Sequence, residues 1–474
     1  MRRLLKITYC VLFLVISAAC ALGMPFYASD GSKQKRVLAE FPQLIINNKL
    51  NLSFPKAFED WLKDHAAWRD ELVTLRSRAL AGIQTASDKQ VIIGSDGWLY
   101  FQETVPDFTG ESAFTENQLY RLNTVMRELD DSLAQEGIPF IVAIAPNKST
   151  VYPDYMPSNY PRRNGPGNAQ RLQAMEATHY VDLTTLLKNR ARQERLLYHK
   201  TDTHWNNSGA RLAAHAMLST LAEVTETSVA LPDLSDPGSV LRDWTGDLSQ
   251  MIYPANTPKE DQWYYGDAEP AYTVKGRMRS LEDLNITTTG GKTALNLLVL
   301  RDSFSNALIH YLSNAFSNVQ YKRQMPLPLL NVKNTDAVVL EIVERRLPEL
   351  LSGAPVMMAR PCSPWENTGG SAALHAYAVS TSDGVRVWGY SLGSVDRMTE
   401  CSVSITAAEG SAYYRAFPVW EAKYAGMPGI PGAHQDGAFS LLLPDLPPDA
   451  QIQVRFAGDS VMLTKLAGIE WIEE

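Results

Sequence analysis

ALNLLVLRDSFSNALIHYLSNAF, residues 294–316, decides the fold. Its first seven residues are almost wholly apolar, too few for a helix but enough for a strand buried on both faces. The segment from Ser303 onward changes to helical spacing. Between them lies Arg301-Asp302-Ser303, a strand-to-helix turn rich in polar groups.

The same alternation recurs on either side. TENQLYRLNTVMRELDDSLAQEG (115–137) reads as a helix capped by Thr115 and stopped at Gly137, and IPFIVAIAP (138–146) reads as the strand that follows. HYVDLTTLL (179–187) offers a short strand, SGARLAAHAMLSTLAEV (208–224) a helix and TDAVVLEIV (335–343) another buried strand. Apolar strands separated by helices imply an α/β three-layer sandwich around a parallel sheet. Before it, FPKAFEDWLKDHAAWRDELVTLRSRALAGI (54–83) has helical spacing, and VIIGSDGWLYF (91–101) has the strand-turn-strand form of a β-hairpin. Beyond about residue 355 helical patterns fade, and GVRVWGYSLG, CSVSITAAEG, AFSLLLPDL and AQIQVRFAG predict an all-β, sandwich-like domain. The expected division is 1–28 for export, 29–354 for the α/β domain and 355–474 for the β-rich domain, with LSGAPVMMARPCSP as the boundary.

The chain begins MRRLLKITYCVLFLVISAACALG, a basic start followed by an apolar run from Ile7 to Leu22. This is the pattern of a secretory signal or a short membrane anchor, so export is expected. Cys10 and Cys20 lie in that segment, leaving Cys362 and Cys401 as the pair that an oxidising compartment would allow to bond. A net charge of −8, with no run of Lys and Arg, argues against a nucleic-acid partner.

In an open α/β sheet, ligands bind beyond the carboxyl ends of the strands. Three such ends carry chemistry: Asn147-Lys148-Ser149-Thr150, Arg301-Asp302-Ser303-Phe304-Ser305 and Glu344-Arg345-Arg346. On the turn after its strand, Ser303 would present a hydroxyl beside free backbone N–H groups, where an oxyanion would be held. A plain helix cap by Asp302 or Ser303 competes with that reading. A serine nucleophile needs a base, and YHKTDTHWNNSGA (198–210) supplies His204 with Asp202 two positions before it. Metal ligation by His199, Asp202 and His204, or a solvated loop pair, are the other readings of that segment. No second cluster completes a metal shell, so neither metal nor cofactor is expected.

VIIGSDGWLYF, APNKSTVYPDY, TDTHWNNSGA, LRDSFSNAL and DAVVLEIVERRL, in that order, resemble the alginate O-acetyltransferases of the AlgJ/AlgX type, whose catalytic domain is SGNH-hydrolase-like. The resemblance covers roughly residues 60 to 350. It implies a triad of Asp202, His204 and Ser303 and a periplasmic enzyme, held or released at the inner membrane by its N-terminal segment. It also implies acetyl transfer onto an exported polysaccharide, alginate or a related exopolysaccharide, with a membrane-bound O-acyltransferase supplying acetyl and other polysaccharide export proteins as partners. The β-rich domain resembles the sugar-binding module of AlgX-type proteins. Phe304, Asn147 and Arg345 are the expected oxyanion or substrate-lining residues, and a substrate groove is expected between the two domains. An acetylesterase using the same triad, and a noncatalytic polysaccharide-binding protein, are the alternatives.

Overall fold

The protein is described by a computed structural model, which describes residues 2–24, 26, 38–46, 49–82, 85–192, 195–366, 369–420 and 436–472. Its central sheet has seven strands: β1 (Phe140–Ala145), β2 (His179–Val181), β3 (Thr273–Val274), β4 (Asn285–Thr289), β5 (Asn296–Leu300), β6 (Asn318–Lys322) and β7 (Ala337–Val343). They lie in the order β2-β1-β7-β5-β6-β4-β3. The five from β2 to β6 are parallel, and β4 and β3 add an antiparallel edge. The sheet is therefore mixed rather than wholly parallel.

Alternate residues of β1 and β7 feed two different cores. Ile141, Ala143, Val339 and Val343 pack with the helix Asn207–Val224 and the helix Ile309–Ala315. Val142, Ile144, Val338 and Leu340 pack on the other face with the helix Glu116–Gln135. Each fully buried aliphatic side chain contributes roughly 1.5–3 kcal/mol by leaving water, which is why both faces of so apolar a strand must be covered. The helix Glu116–Gln135 begins where the sequence predicts. Thr115 accepts from the Gln118 N–H at 3.2 Å, and Gln118 Oε1 accepts from the Thr115 N–H at 2.9 Å.

The hairpin of Val91–Ile93 with Leu99–Phe101 forms as expected. A second hairpin, Ser239–Trp244 with Glu260–Tyr264, arises from sequence that had suggested no element. The C-terminal strands make two antiparallel-rich sheets around a separate apolar core that includes Val387, Val403, Phe439 and Phe456. This sandwich rests on the outer side of the helix Glu116–Gln135. The Thr124 hydroxyl donates to the Met398 carbonyl at 2.9 Å, Arg360 bridges Glu128 and Asp131, and the fully buried Arg121 reaches the Asp436 carbonyl. Cys362, partly exposed, and Cys401, buried, are both free thiols, so the pair that the sequence would allow to bond is unbonded here. Residues 2–23 form a helix, and among the described residues no helix is long and apolar enough to cross a membrane.

Candidate active site

Ser303 stands three residues past the end of β5, opening a short 3-10 turn from Ser303 to Ala307. Asp302 caps that turn: its Oδ1 accepts from the Phe304 N–H at 2.8 Å, and its Oδ2 from the Val343 N–H at 2.8 Å. Capping thus falls to Asp302, and the Ser303 hydroxyl is left for chemistry.

That hydroxyl lies 2.9 Å from His204 Nε2, across 99 residues of chain. His204 Nδ1 lies 2.8 Å from Asp202 Oδ1. The loop carrying both residues ends in the helix Asn207–Val224, whose cap Asn206 accepts from the Gly209 N–H at 3.0 Å. A Cβ on Gly209 would stand 2.3 Å from the Leu197 carbonyl, so only glycine lets the helix start this close to the loop's other arm. Trp205 locks the two motifs together by donating from its indole to the Phe304 carbonyl at 3.0 Å.

The Asp202 carboxylate is fully committed. Oδ1 accepts from the His204 backbone N–H at 2.9 Å and from its ring, while Oδ2 accepts from Trp244 Nε1 at 3.2 Å and the Asp247 N–H at 3.1 Å. Burial alone would raise its pKa, but the hydrogen bonds and charge of His204 outweigh burial and hold it well below the ordinary carboxylate range. Trp244 and Asp247 were not foreseen. Trp244 ends the first strand of the second hairpin, and Asp247 opens the short helix Asp247–Ile252 that lies between its two strands. A Cβ on Gly246 would meet the Thr201 carbonyl oxygen at 2.2 Å, so this close approach depends on glycine. Asp247 also receives the Thr203 hydroxyl at 2.6 Å and places Oδ2 3.7 Å from His204 Nδ1.

The metal reading of this loop does not fit. His199 instead stacks on Trp244, with ring centroids 5.0 Å apart and planes 7° apart, and burial lowers its pKa. Asp202, His204 and Asp247 bring ligand-type atoms within 4.8 Å, yet both ring nitrogens of His204 are already engaged, by Asp202 and by Ser303.

Two further expectations need revision. The Phe304 N–H already donates to Asp302, so it is not a free oxyanion donor. Asn147 lines nothing: it is wholly buried, its amide donates to Asp107 at 2.9 Å and Glu344 at 3.1 Å, and its oxygen accepts from Arg345 at 3.0 Å. Its effect on the site is to aim Arg345. That guanidinium lies 5.5 Å from the Phe304 ring centre and lines a cavity of about 340 Å³ with Ser303, Arg301, Arg323 and Arg346. Beneath it, burial and the charge of Asp107 push the Glu344 pKa up to about 7.

On its other side Ser303 opens into a cavity of about 390 Å³ walled by Trp205, Trp244, Tyr264, Tyr265 and Tyr311. No residue lining this cavity comes from the β-sandwich, so the expected groove between domains is replaced by one between the sheet and the inserted second hairpin.

Residues 91–275 match the family model described as an SGNH hydrolase-like domain, acetyltransferase AlgX. The fold and the AlgJ/AlgX-type resemblance are thereby borne out, and the class of enzyme is an acetyltransferase. Among curated relatives, a probable alginate O-acetylase AlgJ of Pseudomonas syringae pv. tomato is 22% identical over 281 residues, covering 54% of this chain and 69% of the relative. The probable alginate O-acetylase AlgJ of Pseudomonas putida is 28% identical over 129 residues, 27% of this chain and 32% of that one. The solved O-acetyltransferase domain of Pseudomonas putida AlgJ is 22% identical, with a TM-score of 0.36 over 54% of this chain and 92% of that one. The family match ends before Ser303, so its pairing with His204 stands on geometry.

Proposed function

We propose that the chain is an exported O-acetyltransferase acting on hydroxyls of a polysaccharide, alginate or a related exopolysaccharide, through Asp202, His204 and an acetylated Ser303. The observation that carries this reading is the unbroken relay from Asp202 Oδ1 to His204 Nδ1 and from Nε2 to Ser303 Oγ, at 2.8 and 2.9 Å.

His204 Nε2 takes the hydroxyl proton as Ser303 Oγ bonds to the acetyl carbonyl carbon. The carbonyl oxygen gains the electron pair, held by the Ser303 N–H with Arg345 facing the same cavity. Collapse breaks the bond to the donor oxygen, which leaves with the proton from His204. A sugar hydroxyl then repeats the cycle on the acetyl-serine, returning the proton to Ser303. The aromatic cavity supplies stacking faces for sugar rings and excludes water, which favours transfer over hydrolysis.

In this reading the enzyme works in the periplasm, a membrane-bound O-acyltransferase supplies acetyl from across the inner membrane, other export proteins present the polymer, and the 355–474 unit holds the glycan. Exposure to 4-nitrophenyl acetate followed by mass spectrometry should find one added acetyl on Ser303 and none on Ser303→Ala. Acetylation elsewhere, or equal acetylation of the variant, would refute the triad. Acetate release without acetylated oligosaccharide would make the enzyme an esterase.

A further inference from the structure

Lys148 is 3% exposed, an unusual place for an ammonium. It donates to three carbonyl oxygens of one turn: His199 at 3.2 Å, Lys200 at 2.8 Å and Asp202 at 2.5 Å. An ammonium has three N–H donors and no acceptor, so the set is matched bond for bond. The rings of Trp98 and Tyr100 enclose it, with centres 5.7 and 5.3 Å away. The turn is wrapped around a fixed internal cation, as a loop wraps around a bound metal ion. Its last carbonyl belongs to the residue whose carboxylate orients His204.

We infer that Lys148 is a positioning residue for catalysis, which shapes the 199–202 turn so that Asp202 meets His204 and supplies the counter-charge for that buried carboxylate. The inference rests on the triad reading above. Lys148 touches neither His204 nor Ser303, and its effect passes through the backbone of Asp202.

The proton on Lys148 is part of the device. Burial lowers its pKa to about 8, against the pull of Asp202, Asp247 and Glu260. The other charged and titratable groups around it are the His199 imidazole, Tyr100 and Lys200, whose ammonium lies 5.9 Å from the centre of the same Trp98 ring. Burial lowers His199 and raises Tyr100, moving both away from that region. Once neutral, the amine turns a lone pair toward one carbonyl, and the turn loses its match. Stability moves the other way. The folded pKa lies below the unfolded value, so between the two the unfolded chain binds more protons and folding gains as pH rises. Activity and stability should therefore diverge above about pH 8.

The test is the rate of Ser303 acylation by 4-nitrophenyl acetate between about pH 7 and about pH 9.5, with melting followed in parallel. The wild-type rate should fall through about pH 8 without an accompanying loss of melting temperature. Lys148→Met should lose on the order of 10²-fold in that rate with KM little changed. It should melt lower than the wild type, because the three carbonyls of the turn lose their donor and the buried Asp202 carboxylate loses its counter-charge. A Lys148→Met protein that acylates like the wild type overturns the inference, as does a wild-type rate that stays level across the range. If Lys148→Met does not fold, the wild-type profile decides alone. A Ser303→Ala protein that still acylates would sink the triad itself, whereas an inert Ser303→Ala beside a normal Lys148→Met sinks only the role of Lys148.

Discussion

Replacing Asp202 by asparagine preserves shape and removes only a charge and one acceptor, so the structure fixes what must happen. Oδ2 faces two donors that cannot turn around, the Trp244 indole and the Asp247 N–H. The asparagine oxygen must take that side, which leaves its amide N–H₂ facing the His204 ring and the His204 backbone N–H. Nδ1 must then accept, and the ring proton moves to Nε2, the nitrogen that has to receive a proton from Ser303. The imidazole becomes the wrong tautomer for a base. In a serine triad of this arrangement that error costs about 10⁴-fold in kcat, equivalent to about 5.5 kcal/mol of transition-state stabilisation. Binding contacts in the aromatic cavity are untouched, so KM should change little. Single-turnover acylation of Asp202→Asn, compared with its circular dichroism and melting, gives the measurement. A folded variant within tenfold of the wild type would refute the assigned role of Asp202.

Gly246→Ala should push the Trp244–Asp247 segment away from Thr201, costing about 1–3 kcal/mol of stability and on the order of 10²-fold in acylation; a wild-type rate and melting curve would remove that segment from the account. The Asp107–Glu344 pair gives a second pH signature. Both pKa values are raised by burial, so the pair's stabilising contribution is complete at acid pH and is lost as pH rises through the folded value of Glu344, about 7. Glu344→Gln should therefore flatten the wild type's decline in melting temperature across that window, by a difference on the order of a few kcal/mol.

Much of this was legible locally. Thr115 with Gln118, and Gly137 beyond the helix, act through neighbours in sequence, and the apolar runs of β1, β5 and β7 admit only burial between layers. Asp202, His204 and Ser303 could be proposed because each falls where a strand end or adjoining loop must face the crevice. Their separation could not be read, since it depends on Trp205 reaching the Phe304 carbonyl from 99 residues away. Trp244 and Asp247 were invisible because Gly246 reads as an ordinary turn glycine until Thr201 is seen against it. Asn147 was placed at the right strand end but given the wrong exposure, because the partners that bury it, Asp107 and Glu344, lie 40 and 197 residues away. At Ser303 the capping and nucleophile readings proved compatible, divided between adjacent residues.

The helix Glu116–Gln135 has two occupied sides. Leu122, Val125, Met126 and Leu129 serve the sheet, while Arg121, Thr124 and Glu128 are sealed beneath the sandwich, where Phe417 and Val419 join the same apolar cluster. Cutting the chain at the boundary suggested by its Pro/Gly stretch would bare a buried guanidinium and carboxylate together with an apolar strip. A chimera that borrows this C-terminal unit for another acetyltransferase would have to transplant the outward side of that helix as well, because the seam between the two units runs through the helix and not through the linker.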